Sequence, residues 1–221
     1  MSKTLIIDYG SGNIRSVFNA LKKVSSNKNI KIKVTKSADQ LKDASHIILP
    51  GVGSFESCIH GLEKSGIKEE LIENVIGKKK PFLGICVGMQ MLSTKGYEKG
   101  EFQGLNWIDG EVKKIKTNNL HLKIPHMGWN SLKFLKKTNF IKKLLKKVEF
   151  KSVDEICAYF VHSYNFNLKD NSTKILSTNY GEEITAMVAK RNIIGTQFHP
   201  EKSHNFGLAF LQTFIEEWDF E

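Results

Sequence analysis

Short apolar runs alternate with stretches of helical spacing along the front half of the chain, and that alternation limits the fold more than anything else in the sequence. Leu5-Ile6-Ile7 reads as a buried strand. Ile14, Val17, Phe18, Leu21 and Val24 follow at the spacing of one helix face. Ile30, Ile32 and Val34 alternate as a second strand, and Ile47-Ile48-Leu49 is a third that ends in Pro50-Gly51-Val52-Gly53. After a polar-capped helical stretch, Phe82-Leu83-Gly84-Ile85 forms another strand that runs straight into Cys86. Strands separated by helices have room to cross over and pair in parallel, with helices covering the sheet. The expectation is an α/β protein with a largely parallel central sheet flanked by helices.

The rest of the chain is less periodic. Trp107, Val112, His126 and Trp129 fall in short strands and loops, residues 156–161 form a buried strand, and residues 174–198 form two or three antiparallel strands. A closing helix from Ser203 packs through Phe206, Phe210, Leu211, Phe214, Ile215 and Trp218. No Pro/Ser-rich linker, internal repeat or low-complexity tract interrupts the 221 residues, so 1–221 reads as one domain able to bury a sizeable core.

Composition excludes several classes. No run of about 18 uncharged apolar residues is present, so a spanning helix is not expected. Asp8 breaks the first apolar run too early for a signal peptide, which leaves a soluble, cytoplasmic protein as the expectation. Cys58, Cys86 and Cys157 are an odd number without CxxC spacing, which argues against a disulfide framework or a structural metal and suits a reducing compartment. The net charge of +10 could attract nucleic acid, but it comes from dispersed Lys, with Arg15 and Arg191 the only arginines. Arg is the residue that grips bases and phosphates bidentately, so a solvated surface is the better reading and no nucleic acid partner is expected.

Chemistry enters at Gly84-Ile85-Cys86-Val87-Gly88, a G-x-S-x-G elbow with Cys in the nucleophile's place, between a buried strand and the helical pattern of Met89 and Leu92. A sharp strand-to-helix turn strains the nucleophile's backbone, and side chains two residues either way would collide. A helix starting there would aim its N-terminal dipole at the sulfur and favour thiolate. The Val87 N–H would be placed to donate to an oxyanion. By itself the pentapeptide equally fits an inert thiol in tight strand–helix packing.

Gln197-Phe198-His199-Pro200-Glu201 tips the balance. Residues i and i+2 of an extended chain share a side, and Pro200 keeps His199 out of a helix. Glu201 could then bind one imidazole nitrogen and leave the other to take a proton from Cys86, a base oriented by a third group. His46, His60, His121 and His204 read as surface or core residues. In α/β-hydrolases the acid precedes the histidine, whereas here it follows by two residues, which argues against that family.

Together GICVGMQ (84–90) and FHPE (198–201) resemble the class I glutamine amidotransferases. IDYGSGNIRSV (7–17), LPGVGSF (49–55), PHMGWN (125–130), VHSY (161–164) and QFHPEKS (197–203) further resemble, in order, the glutaminase subunits of imidazole glycerol phosphate synthase. The resemblance spans the whole chain. It implies a class I glutaminase fold with a nucleophile elbow, no cofactor and no metal, and a Cys-His-Glu triad of Cys86, His199 and Glu201 that releases ammonia from glutamine through a thioester. It implies an oxyanion hole of Val52, Gly53 and Val87, substrate contacts from Gly51, Gln90, Glu98, Ser163 and Tyr164, and a heterodimer with a (β/α)8-barrel cyclase that receives the ammonia. Met127, Trp129, Asn130 and Lys202 would face that barrel. Two segments depart from the family pattern: the basic turn 25–33 and the Lys-rich stretch 133–147. A paralogue serving amidino-sugar biosynthesis and a catalytically silent binding protein are the alternatives.

Overall fold

The strands read as continuous apolar runs are those buried on both faces. In the computed structural model, which describes residues 2–26, 28–117, 121–148 and 156–216, β1 (Ser2–Ile7), β3 (His46–Gly51) and β4 (Phe82–Cys86) sit at the middle of the main sheet. Every residue of β3 and β4 is buried, as expected for parallel strands covered on both sides. β2 (Ile30–Thr35) lies at the edge and alternates, with Ile32 buried between exposed lysines. The remaining strands are β5 (Lys95–Gly96), β6 (Phe102–Gln103), β7 (Gly110–Lys114), β8 (His126–Ser131), β9 (Lys133–Phe134), β10 (Cys157–His162), β11 (Tyr164–Leu168), β12 (Lys174–Tyr180), β13 (Glu182–Lys190) and β14 (Ile193–Thr196).

The main sheet has the order β2-β1-β3-β4-β14-β13-β12-β9. Its first five strands pair in parallel and the last three extend it antiparallel. Residues 174–198 supply three strands where two or three antiparallel ones were expected, and β14 also joins β4 in parallel across its other edge. Two registers position the site. Gly51 lies opposite Cys86, and Thr196 opposite Ile85, so Gln197 emerges from the sheet beside the cysteine. A two-stranded sheet, β10-β8, and a four-stranded sheet, β11-β7-β5-β6, stand beside the main one.

Helices cover the sheet: α1 (Ile14–Ser25), α2 (Phe55–Lys64), α3 (Lys68–Ile72), α4 (Val87–Gln90), α5 (Asn139–Lys147) and α6 (His204–Glu216). The predicted stripe on α1 is buried at Val17 and Leu21 and partly buried at Ile14, Phe18 and Val24. Ser54 caps α2, its hydroxyl accepting from the Ser57 N–H at 3.2 Å. α6 packs against both α1 and α5, so it buries more than one stripe, including Phe206, Phe210, Leu211, Phe214 and Ile215. Each such side chain removed from water contributes roughly 2 kcal/mol, which makes the closing helix a main anchor of the core. The helix begins at His204 rather than Ser203, and the expected contribution of Trp218 lies outside the described residues.

The Lys-rich stretch 133–147 contains β9 and α5, a helix that buries Phe140, Ile141 and Leu144, exposes Lys142 and Lys146, and pairs Lys147 with Glu216 at 3.3 Å. The periodicity was therefore present beneath an unusual composition. Among the described residues, no helix is long and apolar enough to cross a membrane.

Candidate active site

Cys86 ends β4 with φ 55° and ψ −112°, a left-handed backbone that costs a non-glycine residue about 1–3 kcal/mol. The flanking glycines make the turn possible. A Cβ on Gly88 would lie 1.9 Å from the Leu49 carbonyl oxygen, and one on Gly84 would lie 2.5 Å from that of Gly88. The elbow is thus welded against β3 by backbone contact. The helix behind it is shorter than expected: α4 is a single turn of four residues, and Leu92 continues it only through a bond to Met89. Since aligned peptide dipoles sum along a helix, so short a one gives little macrodipole.

His199 is the titratable neighbour on which the sulfur acts. Its Nδ1 donates to Glu201 Oε1 at 2.9 Å, and the His199 and Glu201 side chains are 3% and 0% exposed. The pair is not extended as expected. His199 is, but Pro200–Lys202 forms a 3-10 turn that swings the carboxylate back beneath the ring. Burial alone would lower the His199 pKa; Cys86 and then Glu201 outweigh it and raise the pKa to about 10. Nε2 is buried without a well-aligned hydrogen bond, and Cys86 is the strongest influence raising its proton affinity, so ring and sulfur are neighbours awaiting a tighter geometry.

Two residues absent from the sequence-level site complete it. Asn13 precedes α1 at the cap position but does not cap the helix; its Nδ2 donates instead to Glu201 Oε1 at 3.3 Å. Gln197 Nε2 lies 3.6 Å from Cys86 Sγ, and its Oε1 accepts from Gln90 Nε2 at 2.9 Å. Gln197 was within the motif carrying His199, but nothing local marks it as facing the sulfur. Asn13 is 188 positions from its partner.

A cleft of about 270 Å³ opens over Cys86, lined by Val52, Gly53, Val87, Gln90, Glu98, Pro125, Val161, His162, Ser163, Tyr164, His199 and Lys202. It suits a ligand of amino-acid size. Gly51 lies just beneath, where a Cβ would press to 2.5 Å from the Gly88 nitrogen. The Val52 carbonyl is held by the Ser11 hydroxyl and by Cys58 Sγ at 3.7 Å, and Gly53 turns with φ +114°, a conformation that favours glycine. Glu98 reaches the N-terminus of α2, accepting from the Phe55 N–H at 2.7 Å. Gln90 is buried, and both hydrogens of its amide are spent, on Gln197 and on the Tyr164 carbonyl at 3.1 Å.

Of the four residues expected to face a partner, three lie on the surface. Met127 is 60% and Trp129 47% exposed, at alternate positions of β8. Trp129 stacks on His204 at 4.6 Å, and the Lys202 ammonium lies 5.6 Å from the centroid of the Tyr159 ring. Asn130 is half-buried instead and directs its amide inward. All three cysteines are free thiols, and the described residues hold no cluster of three or more His, Cys, Asp or Glu able to bind a metal.

This elbow, the buried ring beside it and the sheet order define the class of protein. The family model for class I glutamine amidotransferases matches residues 5–218, and the chain belongs to that family of glutaminases. It is similar to the imidazole glycerol phosphate synthase subunit HisH of Pelagibacter ubique, 42% identical over 211 residues, covering 95% of this chain and 97% of that one. The HisH subunit of Bradyrhizobium diazoefficiens is 44% identical over 213 residues, covering 95% and 96%. Among solved structures, PurLQS from Thermotoga maritima superimposes with a TM-score of 0.70 at 18% identity over 99% of both chains, a likeness of fold.

Proposed function

We propose that this chain hydrolyses glutamine through Cys86, His199 and Glu201 and delivers the ammonia to a (β/α)8-barrel cyclase making imidazole glycerol phosphate, for histidine biosynthesis in the cytoplasm. One observation carries the reading: a strained cysteine and a buried histidine, its pKa raised to about 10 by that cysteine and by Glu201, share a cleft of amino-acid size. The similarity to HisH subunits supports the choice of pathway and of partner.

The Cys86 thiolate attacks the side-chain amide carbon of glutamine. Negative charge gathers on the amide oxygen, facing the Val87 N–H and the Val52–Gly53 turn. His199 gives its proton to the departing nitrogen, and ammonia leaves a γ-glutamyl thioester. Water, deprotonated by His199, then attacks the thioester, and glutamate departs as the sulfur recovers its charge. Glu201 keeps Nδ1–H engaged throughout, so Nε2 is the nitrogen that exchanges protons. Glu98 is positioned to receive the substrate's ammonium, while Gly51, Gln90, Ser163 and Tyr164 shape the remaining wall. Met127, Trp129 and Lys202 mark the side that would meet the cyclase, with Asn130 half-buried beside them, and Lys202 also lines the cleft. An electrophilic glutamine analogue should label Cys86 stoichiometrically and stop glutamine-dependent turnover of the cyclase complex. Labelling that maps to Cys58 or Cys157 would overturn the assignment.

A further inference from the structure

Behind the cleft wall, hydrogen bonds run in one direction through two histidines. On β8, Asn130 Nδ2 reaches the Asn179 carbonyl at 2.9 Å and His126 Nε2 at 3.2 Å. His126 Nδ1 lies 3.0 Å from His162 Nε2, and His162 Nδ1 lies 2.8 Å from the Tyr164 carbonyl. An amide nitrogen can only donate and a carbonyl oxygen can only accept, so the two ends of this chain fix every proton in it. His126 must carry its hydrogen on Nδ1 and accept at Nε2, and His162 must do the same. The rings are held still: His126 is sandwiched between Phe160 at 4.8 Å and Tyr180 at 4.0 Å, nearly parallel to both.

At its inner end the chain meets the site. The Tyr164 carbonyl also accepts from Gln90, which bonds Gln197, whose amide approaches Cys86 Sγ. His162, Tyr164 and Gln90 all line the cleft. At its outer end the chain starts one residue from exposed Trp129.

We propose that His126 and His162 are positioning residues for the glutaminase reaction, whose single tautomeric arrangement, imposed by Asn130, fixes the Tyr164–Gln90 wall against which glutamine binds. This rests on the reading of the cleft as the glutamine site. Burial favours the uncharged form of both rings, lowering their pKa values to about 4 for His126 and about 3 for His162, so the arrangement is fully populated at neutral pH. A shift of β8 would be felt at Tyr164 without any contact to Cys86.

The test uses the full chain carrying Cys86→Ala, with glutamine binding measured by calorimetry. Adding His126→Phe leaves His162 Nε2 without its donor, and the affinity should fall about tenfold, the scale of one buried hydrogen bond. His126→Gln can both donate and accept along the same line, and should bind within about twofold of the parent. Nitrogen-15 spectra of the unsubstituted chain should show His162 protonated on Nδ1, and they decide the case even if His126→Phe fails to fold. His162 protonated on Nε2, or His126→Phe binding glutamine as the parent does, would overturn the positioning role alone. Failure of the Cys86→Ala parent to bind glutamine would overturn the reading of the cleft and this inference with it.

Discussion

Two buried pairs, His199 with Glu201 and His162 with His126, lie near enough that His199 bears on the protonation of His162, and their histidine pKa values are shifted in opposite directions. His199 and His162 are 2% and 6% exposed, so both lose nearly all contact with water. One is pushed up to about 10 and the other down to about 3. The difference lies in what replaces the water. His199 faces a cysteine sulfur on one side and a carboxylate on the other, and both favour the imidazolium. His162 faces a neutral ring and a carbonyl, which satisfy its nitrogens without supplying negative charge. Burial amplifies whatever the neighbours offer: at one site a mobile proton for chemistry, at the other a fixed one for geometry.

The contrast can be broken most severely at the sulfur. Cys86→Ala removes both the nucleophile and the largest influence raising His199, so glutamate release by the cyclase complex should vanish. A ring titration should also show the His199 pKa falling toward ordinary values. Glu201→Gln removes the other anion but keeps the shape. Activity should drop roughly 10⁴-fold, less than for Cys86→Ala, with an unchanged circular dichroism spectrum. Unchanged turnover in this variant would mean that the carboxylate does not orient His199.

The outer end of the neutral chain can be probed without touching either pair. Trp129→Ala, on the strand that carries His126, should weaken cyclase binding by about tenfold or more while labelling of Cys86 proceeds as before. Surface plasmon resonance against the cyclase measures the first effect and intact-mass analysis the second.

The smallest effect separates the pairs by pH. His126 and His162 are depressed when folded, so the unfolded chain binds more protons below about pH 6.5. Their contribution to stability is therefore complete above that pH and is lost as pH falls toward 4 and 3. His199 is raised, so its contribution is present below about pH 6.5 and is lost as pH climbs through about 10. Phe160 and Tyr180 cover His126, and the other groups facing the neutral pair are Tyr164 and His199. The melting temperature should fall by several degrees between pH 7 and pH 4.5, and a His126→Gln, His162→Gln double variant should flatten that slope. An identical slope in the double variant would place the acid sensitivity elsewhere.

Where the sequence read well, the determinant was local. The stripe on α1, the double-sided burial of β3 and β4, and the glycines at 84 and 88 follow from periodicity and sterics within a few residues. Where it read poorly, the determinant was distant. The length of α4 is set by turns that fold back through Leu105, Trp107 and Ile108 onto Met91 and Leu92, which the helical spacing of Met89 and Leu92 cannot reveal. Asn13 stands before a helix in the sequence, and its bond to Glu201, 188 positions on, is made only by the fold.

The sequence by itself determined the α/β alternation, the strained cysteine between glycines, and the pairing of His199 with a carboxylate two residues on, because each depends on chain stereochemistry over one or two turns. Only the tertiary structure decided the charge states. The chain around His162 lacks the carboxylate that follows His199 by two residues, but it does not show what packs against the ring. Burial favours its uncharged form first, and His126 and His199 add to that against the Tyr164 carbonyl, which raises its pKa; the His199 pKa is raised by a sulfur on another strand. A titratable group buried in a protein takes its charge from the atoms packed against it, and those are chosen by the fold.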